Sequence, residues 1–485
     1  MIKIGHRQRE TTGFDFILGK LSANSPYGNE RIRRIRFYSP HEKHELEEEL
    51  YNVGRAADTL ESCAREYAAV ERQMMALKDV RRSIERCREG ELDEVELFEI
   101  KRFLLQLEIM AEAYRLVQER AGFAGINIEP VPGALRALDP DGRRTASFYV
   151  SDAKLPRLRE IRRRKRELEE KMRIERDGAR REKLAQERLT AAVEEEDAQR
   201  EALFMMCADL RPYLDDIMNA VNAIGRLDFT ISRAKLAARY GACLPTMDGD
   251  RLALERAVHP LFVDALNKKG RAFTPISIEL APGSTVITGA NMGGKSVALK
   301  TIAVNALMLH AGMFVFAQSA NIPLMEGVHI ISEDLESAQR GLSSFGAEII
   351  RFNQILEQVE REAGSLILLD EFARGTNPHE GAQIAGAVTR YLNNLPALSV
   401  MTTHFDGVAD NAGAHYQVIG LRDMDLAEAA ARISKAERRE EVISRYMNYG
   451  LYRVAGEKSC PRDALNICRL LDFKPEILKM LENIY

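Results

Sequence analysis

The stretch that decides the fold of this chain's C-terminal half is Gly289-Ala290-Asn291-Met292-Gly293-Gly294-Lys295-Ser296. It fits the pattern GxxxxGK[ST] at every position, and it lies between a short apolar run, 285–288, and a helical pattern, 297–309. Glycines let backbone N–H groups turn inward around phosphate oxygens, and a helix N-terminus adds partial positive charge. We therefore predict that these eight residues bind ATP, with Lys295 at the β- and γ-phosphates and the Ser296 hydroxyl on Mg²⁺.

Two further apolar runs end in polar residues that suit the hydrolysis of ATP. The run 366–369 ends in Asp370 and Glu371, which predicts a Mg²⁺ ligand followed by the general base for the attacking water. The run 398–403 ends before His404, which can sense the γ-phosphate and bind the same water. The alternative for all three residues is structural, because buried acidic pairs and single histidines also occur in ordinary ion pairs and cores.

The order of apolar and helical segments predicts a mixed α and α/β protein. After residue 245, buried runs alternate with helical patterns, which is typical of a mainly parallel sheet. Before it, apolar residues in 41–118 recur at helical spacing. We predict a helical domain over 1–244 and an α/β nucleotide-binding domain over 245–485.

A charged segment lies inside the helical half. More than half of the residues in 155–201 are charged, and a narrow apolar stripe predicts a long exposed helix or coiled coil. We expect a helical arm over about 155–225, with Asp177-Gly178 at its tip. The basic run 162–166 could contact phosphate, and the alternative is a solvated helix face.

Composition excludes several classes of protein. The net charge of the 485 residues is −4, which rules out a globally basic nucleic-acid coat protein but leaves room for a local basic patch. The six cysteines are spread out with no CxxC pair, which argues against a disulfide scaffold or a zinc module. No signal peptide or long apolar run is visible, so we expect a cytoplasmic protein with no membrane segment.

Together the motifs resemble the ATPase domain of the MutS family, a branch of the ABC-type ATPases, over roughly 245–485. TGANMGGKS at 288–296 is similar to the family's TGPNMGGKS, and LLDEFARGTNPHEG at 368–381 resembles its DEIGRGTSTxDG. TTHF at 402–405 matches its switch-histidine motif, and SSFGAE at 343–348 resembles its STFMxE signature.

The resemblance implies an ABC-type P-loop ATPase preceded by a helical core and lever domain, working as a dimer. In such a dimer, Ser343 and Ser344 would face the γ-phosphate of the neighbouring subunit. Without the resemblance, two serines at a helix start indicate only an N-cap. The segment Arg256–Pro260 resembles the family's strand near the adenine, which implies that His259 contributes to ATP binding. The tail 449–471 resembles a C-terminal dimerisation element.

The resemblance leaves open which molecule the ATPase acts on, which we call its client, and there are two candidates. The usual role of the family implies that the client is duplex DNA, in mismatch repair or recombination control. Short MutS-like proteins without a recognisable mismatch-reading, clamp or Smr nuclease domain also resemble the ATPase component of reactivases for adenosylcobalamin-dependent lysine or ornithine aminomutases, whose client is a protein. None of those three domains is recognisable here, and the net charge of −4 also favours the protein client.

Overall fold

The structure is a computed structural model that describes residues 4–145, 150–152, 154–289, 294–332, 344–361, 364–420, 448–455, 468 and 473–482. The chain divides into two compact units. Unit 1 contains Met1–Leu21, Ile35–Gly54 and Arg233–Tyr485, and unit 2 contains Ser22–Arg34 and Arg55–Ser232. This division differs from the boundary predicted at residue 244, because two N-terminal segments pack with the C-terminal half.

The described helices and strands alternate in the C-terminal half as the sequence predicts, and the mixed α and α/β class is confirmed. The helices are α1 (His6–Thr11), α2 (Phe14–Leu18), α3 (Pro26–Arg33), α4 (Lys43–Thr59), α5 (Ala64–Ala76), α6 (Arg81–Glu89), α7 (Glu94–Ala121), α8 (Pro132–Leu138), α9 (Pro156–Ile174), α10 (Gly178–Leu210), α11 (Leu214–Tyr240), α12 (Pro260–Asn267), α13 (Lys295–His310), α14 (Ser344–Val359), α15 (Pro378–Leu392) and α16 (Pro475–Glu482). The strands are β1 (Leu252–Ala257), β2 (Ile276–Leu280), β3 (Gly283–Thr288), β4 (Ser319–Asn321), β5 (Gly327–Ile331), β6 (Ser365–Asp370), β7 (Leu398–Thr403), β8 (Ala414–Gly420) and β9 (Asn448–Arg453).

Helix α7 shows how local sequence sets the boundaries in unit 2. The Asp93 carboxylate accepts a hydrogen bond from the Glu96 amide at 2.8 Å, which caps the first turn. Gly122 follows the last turn at φ 63°, a left-handed conformation that glycine adopts without steric cost. Between these ends, the face that includes Leu97, Phe103 and Leu107 is buried in the unit 2 core.

Helices α9 and α10 of unit 2 form an antiparallel hairpin, which we call the arm. The chain turns at 175–177, where the Asp177 carboxylate caps α10 by accepting from the Arg180 amide at 2.9 Å. At the other end, buried Leu158 and Ile161 pack against Ala198. A narrow apolar seam of this kind suits a two-helix coiled-coil contact rather than a broad core.

The six-stranded sheet of unit 1 has the order β5-β6-β7-β3-β8-β9, and all neighbouring pairs are parallel except β8 with β9. Thr288 at the end of β3 is level with Thr403 of β7, and Asp370 at the end of β6 is level with Thr402. The carboxyl ends of three adjacent strands therefore share one sheet edge. A separate three-stranded antiparallel sheet has the order β2-β1-β4.

Candidate functional site

The phosphate-binding stretch follows β3 and leads into α13. Four of its eight predicted residues are described, namely Gly289, Gly294, Lys295 and Ser296. The other four, Ala290, Asn291, Met292 and Gly293, lie outside the described residues. Gly294 has φ 89°, and a Cβ there would lie 2.8 Å from a ring carbon of Tyr449 on β9. Both its backbone conformation and the space around it therefore require glycine.

Lys295 is the first residue of α13, and its side chain is only 3% exposed. Its ammonium Nζ donates to the Gly289 carbonyl oxygen at 2.8 Å and lies 3.4 Å from Glu371 Oε1. A buried ammonium needs such oxygens, because burial without a partner disfavours the charged form. Nζ is thus held next to the loop that would receive phosphate oxygens.

Two hydroxyl groups donate to the same oxygen of the Asp370 carboxylate. The Ser296 hydroxyl donates to Asp370 Oδ1 at 3.0 Å, and the Thr402 hydroxyl donates to the same atom at 2.7 Å. A serine hydroxyl and a carboxylate are hard oxygen ligands, which Mg²⁺ prefers alongside waters and phosphate oxygens. The described residues contain no cluster of three or more His, Cys, Asp or Glu side chains suited to a metal. The Ser296 hydroxyl and the Asp370 carboxylate fit a Mg²⁺ site by their ligand chemistry.

Glu371 follows β6 in a strained backbone conformation, with φ 50°. Its amide N–H lies 3.0 Å from Thr402 Oγ1 and 3.1 Å from the Thr402 carbonyl oxygen, and it donates to both. Its carboxylate lies between two cations, because Arg374 donates to Oε2 at 2.7 Å and the Lys295 ammonium is near Oε1. The backbone is thus fixed by β7, and the carboxylate is held by ion pairs.

His404 follows β7 at the same sheet edge and is partly buried. Burial lowers the pKa of this imidazole, and the Lys295 and Arg374 charges act in the same direction against the opposing effect of Glu371. Its Nδ1 is buried and has no hydrogen-bond partner among the described residues. The lowered pKa of His404 favours the neutral ring at pH 7.

One further predicted residue, His259, has its described contacts with the N-terminal segment. His259 is fully buried, its Nε2 lies 2.9 Å from the Thr12 carbonyl oxygen, and Gly13 packs against its ring. That position ties the N-terminal segment to unit 1, and its predicted role in ATP binding stays a prediction. Ser343 lies outside the described residues, and Ser344 is described only as the first residue of α14.

Three residues of the site were not predicted. Thr402 and Arg374 lie inside the quoted motifs. Thr402 donates to the Asp370 carboxylate and Arg374 to the Glu371 carboxylate, and their polar groups were a usable indication of these contacts. Tyr449 packs on Gly294 from β9, the edge strand of the sheet. The motif spacing carries no signal for that contact, which joins positions far apart in the sequence.

Comparisons with known proteins agree with this geometry. Residues 285–470 match the family model MutS domain V. The chain is 31% identical over 225 residues to Endonuclease MutS2 of Leuconostoc mesenteroides, covering 46% of this chain and 27% of that protein. It is 34% identical over 211 residues to DNA mismatch repair protein MutS of Myxococcus xanthus, covering 42% and 23%. It is 27% identical over 268 residues to human DNA mismatch repair protein Msh3, covering 54% and 23%.

The family model matches a part of the C-terminal half, so the likeness to the MutS family is shown for that region. The aligned region spans about a quarter of the length of these curated relatives. In the described part of the chain, no helix combines the length and apolar character needed to cross a membrane.

Proposed function

We propose that this protein is a MutS-like ATPase that binds ATP with Mg²⁺ and hydrolyses it to ADP and phosphate. One observation supports this most strongly. Lys295 and Ser296 follow β3, Asp370 ends β6 with Glu371 next to it, and His404 follows β7. These residues lie at one edge of the sheet. Open α/β sheets bind ligands at the carboxyl ends of their strands, and these are the residue types that phosphoryl transfer needs.

Each residue then has a definite task. Lys295 and the loop amides bind the β- and γ-phosphates, while Ser296 and Asp370 would hold Mg²⁺, which would neutralise phosphate charge. Glu371 accepts the proton of the attacking water as the new P–O bond forms and the bond between the γ-phosphorus and the bridging oxygen breaks. Neutral His404 hydrogen-bonds the water or the γ-phosphate.

The ion pairs of Glu371 imply a step before hydrolysis. Its carboxylate contacts Arg374 and Lys295, which leaves it poorly placed to accept a proton. A bound γ-phosphate competes for Lys295 and so frees one carboxylate oxygen. We therefore expect that Lys295 must leave the Glu371 carboxylate and contact the γ-phosphate before hydrolysis occurs.

The test is Glu371→Gln, whose amide cannot accept the proton. We expect kcat to fall by at least about 10²-fold with ATP still bound, whereas Lys295→Ala should weaken ATP binding itself. Glu357→Gln removes an exposed carboxylate on α14, outside the quoted motifs, and should leave both quantities unchanged. Wild-type turnover by Glu371→Gln would falsify the assignment of the base.

We further propose that two copies of the chain form the working enzyme. The support is the resemblance of 343–348 to a signature that is supplied by the neighbouring subunit. Ser343 and Ser344 would then contact the γ-phosphate bound by the other copy.

Duplex DNA is the first client we propose, because the relatives above are named as mismatch repair proteins and as an endonuclease. Binding to phosphates releases counterions, so the logarithm of the affinity should fall steeply as the logarithm of the salt concentration rises. Titrating wild-type protein with a short duplex at several salt concentrations measures this slope.

A protein client, such as a cobalamin-dependent aminomutase, is the second candidate, and one feature of the arm favours it. The basic run 162–166, for which phosphate contact and a solvated helix face were both open, is largely neutralised within the arm. Arg162 and Lys165 both bind Glu195, and Arg164 binds Glu194. Absence of duplex binding at low salt would favour the protein client.

A further inference from the structure

The loop after β6 holds two side-chain-bearing residues in left-handed conformations. Glu371 has φ 50° and Ala373 has φ 63°, and Phe372 between them is fully buried. Residues with a Cβ adopt this region at an energetic cost, and they persist there only where their surroundings fix the backbone. The position of the base therefore depends on contacts outside the loop.

Each end of the loop is held by a different element. At the first end, the Glu371 amide donates to Thr402 of β7. At the second end, the Ala373 amide donates to Glu348 Oε2 at 3.0 Å, and Glu348 lies near the start of α14. A carboxylate accepting from a backbone amide makes a strong, directional bond. Strand β7 lies within the sheet, so α14 is the element that could shift the loop.

Apolar packing reinforces this link. The rings of Phe352 on α14 and Phe372 in the loop lie 5.2 Å apart, and Phe345 and Ile349 of α14 pack against the same core cluster. Close-packed side chains transmit displacement, because they leave no space in which it could be absorbed. Movement of α14 therefore moves the second end of the loop.

We propose that Glu348 is a positioning residue that couples α14 to the general base Glu371. This inference rests on the proposed ATPase function and assigns its control to a named contact. Helix α14 begins at Ser344, in the segment that would meet a second subunit's nucleotide. Through Glu348 and Ala373, the seating of that helix sets the geometry of Glu371.

The experiment compares Glu348→Ala, Glu348→Gln and the control Glu357→Ala, which removes an exposed carboxylate from the same helix. We expect Glu348→Ala to lower kcat by about 10²-fold, because small misplacements of a catalytic group cost this much. The affinity for a fluorescent ATP analogue with Mg²⁺ should stay within about twofold of wild type, since no phosphate contact is lost. Glu348→Gln keeps an oxygen that accepts from the Ala373 amide, so its kcat should return to within about threefold of wild type.

Three outcomes overturn the coupling. These are a wild-type kcat for Glu348→Ala, a parallel loss of ATP affinity, and a Glu348→Gln variant as slow as Glu348→Ala. If Glu348→Ala does not fold, Glu348→Met, which fills the same space without an oxygen to accept from the Ala373 amide, takes its place in the same comparison. Failure of the proposed ATPase is distinguishable, because the wild-type protein would then release no phosphate from ATP.

Discussion

His310 shows at the residue scale how burial fixes a protonation state. It lies fully buried at the end of α13, where Nδ1 donates to the Tyr38 carbonyl oxygen at 2.7 Å and Nε2 accepts from the Met325 amide at 3.3 Å. The ring must be neutral to accept at Nε2. Burial lowers the pKa of His310 to about 4, although the bond to Tyr38 opposes the shift.

This residue predicts acid sensitivity. The folded pKa lies below the ordinary value of 6.5, so the unfolded state binds the proton more tightly. The stabilisation is therefore complete above pH 6.5 and is lost as the pH falls towards 4. Between pH 7.5 and 5, His310 alone should lower the free energy of unfolding by about 2 kcal/mol.

The measurement is urea unfolding at both pH values. His310→Gln should be less stable than wild type at pH 7.5, but its free energy of unfolding should fall by about 2 kcal/mol less on acidification. His44→Gln, which replaces an exposed histidine on α4, should keep the wild-type pH dependence. If His310→Gln also kept the wild-type pH dependence, the buried neutral ring of His310 would not be the cause of the loss of stability in acid.

Sequence patterns predicted the residues of the site that belong to contiguous motifs. Lys295, Ser296, Asp370 and Glu371 were predicted together because each follows an apolar run, and parallel strands bring such ends to one edge. Glu348 belongs to the quoted motif at 343–348, but the motif does not indicate which residue it contacts. Its contact with Ala373 depends on how α14 packs against the sheet, which the spacing along the chain does not determine.

At the element scale, the cations of the arm fall into two groups, one in ion pairs near the middle and one exposed at the turn. Near its middle, Arg162 and Lys165 of α9 hold the Glu195 carboxylate of α10 at 3.1 and 2.6 Å. Burial alone would raise the pKa of Glu195, but these two partners bring it below its ordinary value. This interhelical pairing stabilises the hairpin, and it engages most of the basic run 162–166 in ion pairs.

The turn of the arm is different. Its exposed cations are Lys171, Arg173, Arg176, Arg180, Arg181 and Lys183. Within the described ranges these six side chains make no ion pair with an acidic group. Ile174 lies among them with 78% of its surface exposed. If the arm contacts duplex DNA, the turn is therefore a better candidate surface than the middle.

A charge reversal tests this placement. Replacing Arg173, Arg176, Arg180 and Arg181 by Glu should weaken duplex binding by at least tenfold at low salt, as an order of magnitude, and make the salt slope shallower by up to about 4. Basal ATPase should not change. Arg157→Glu with Arg159→Glu, at the start of α9 about 25 Å from the turn, should have a smaller effect on binding. Unchanged affinity and slope in the fourfold variant would exclude the turn as the contact.

At the scale of the whole molecule, periodicity predicted the fold class and the nature of each half. It could not predict that Met1–Leu21 and Ile35–Gly54 join unit 1. The contacts responsible are long-range, such as Arg233 with the Gly312 carbonyl oxygen and with Glu49. Local patterns report which face of an element is apolar, but they do not report which distant segment covers it.

The proposed dimer gives a prediction at this scale. A chain with Ser343→Ala and Ser344→Ala and a chain with Lys295→Ala should each hydrolyse ATP poorly. When the two are mixed, one of the two sites in the mixed dimer is intact, so part of the activity should return. Steady-state phosphate release at varying ratios measures this rescue, and a mixture no more active than its components would contradict completion by the neighbouring subunit.

The division of the chain into units also sets an order in time. Thr12 contacts His259, which is 247 residues further along the chain. At a synthesis rate of about 5–20 residues per second, the N-terminal segment emerges about 12–50 s before its partner exists. All of unit 2, which ends at Ser232, is synthesised within that interval. Unit 2 is therefore completely synthesised before the first segment of unit 1 can pack against its partner.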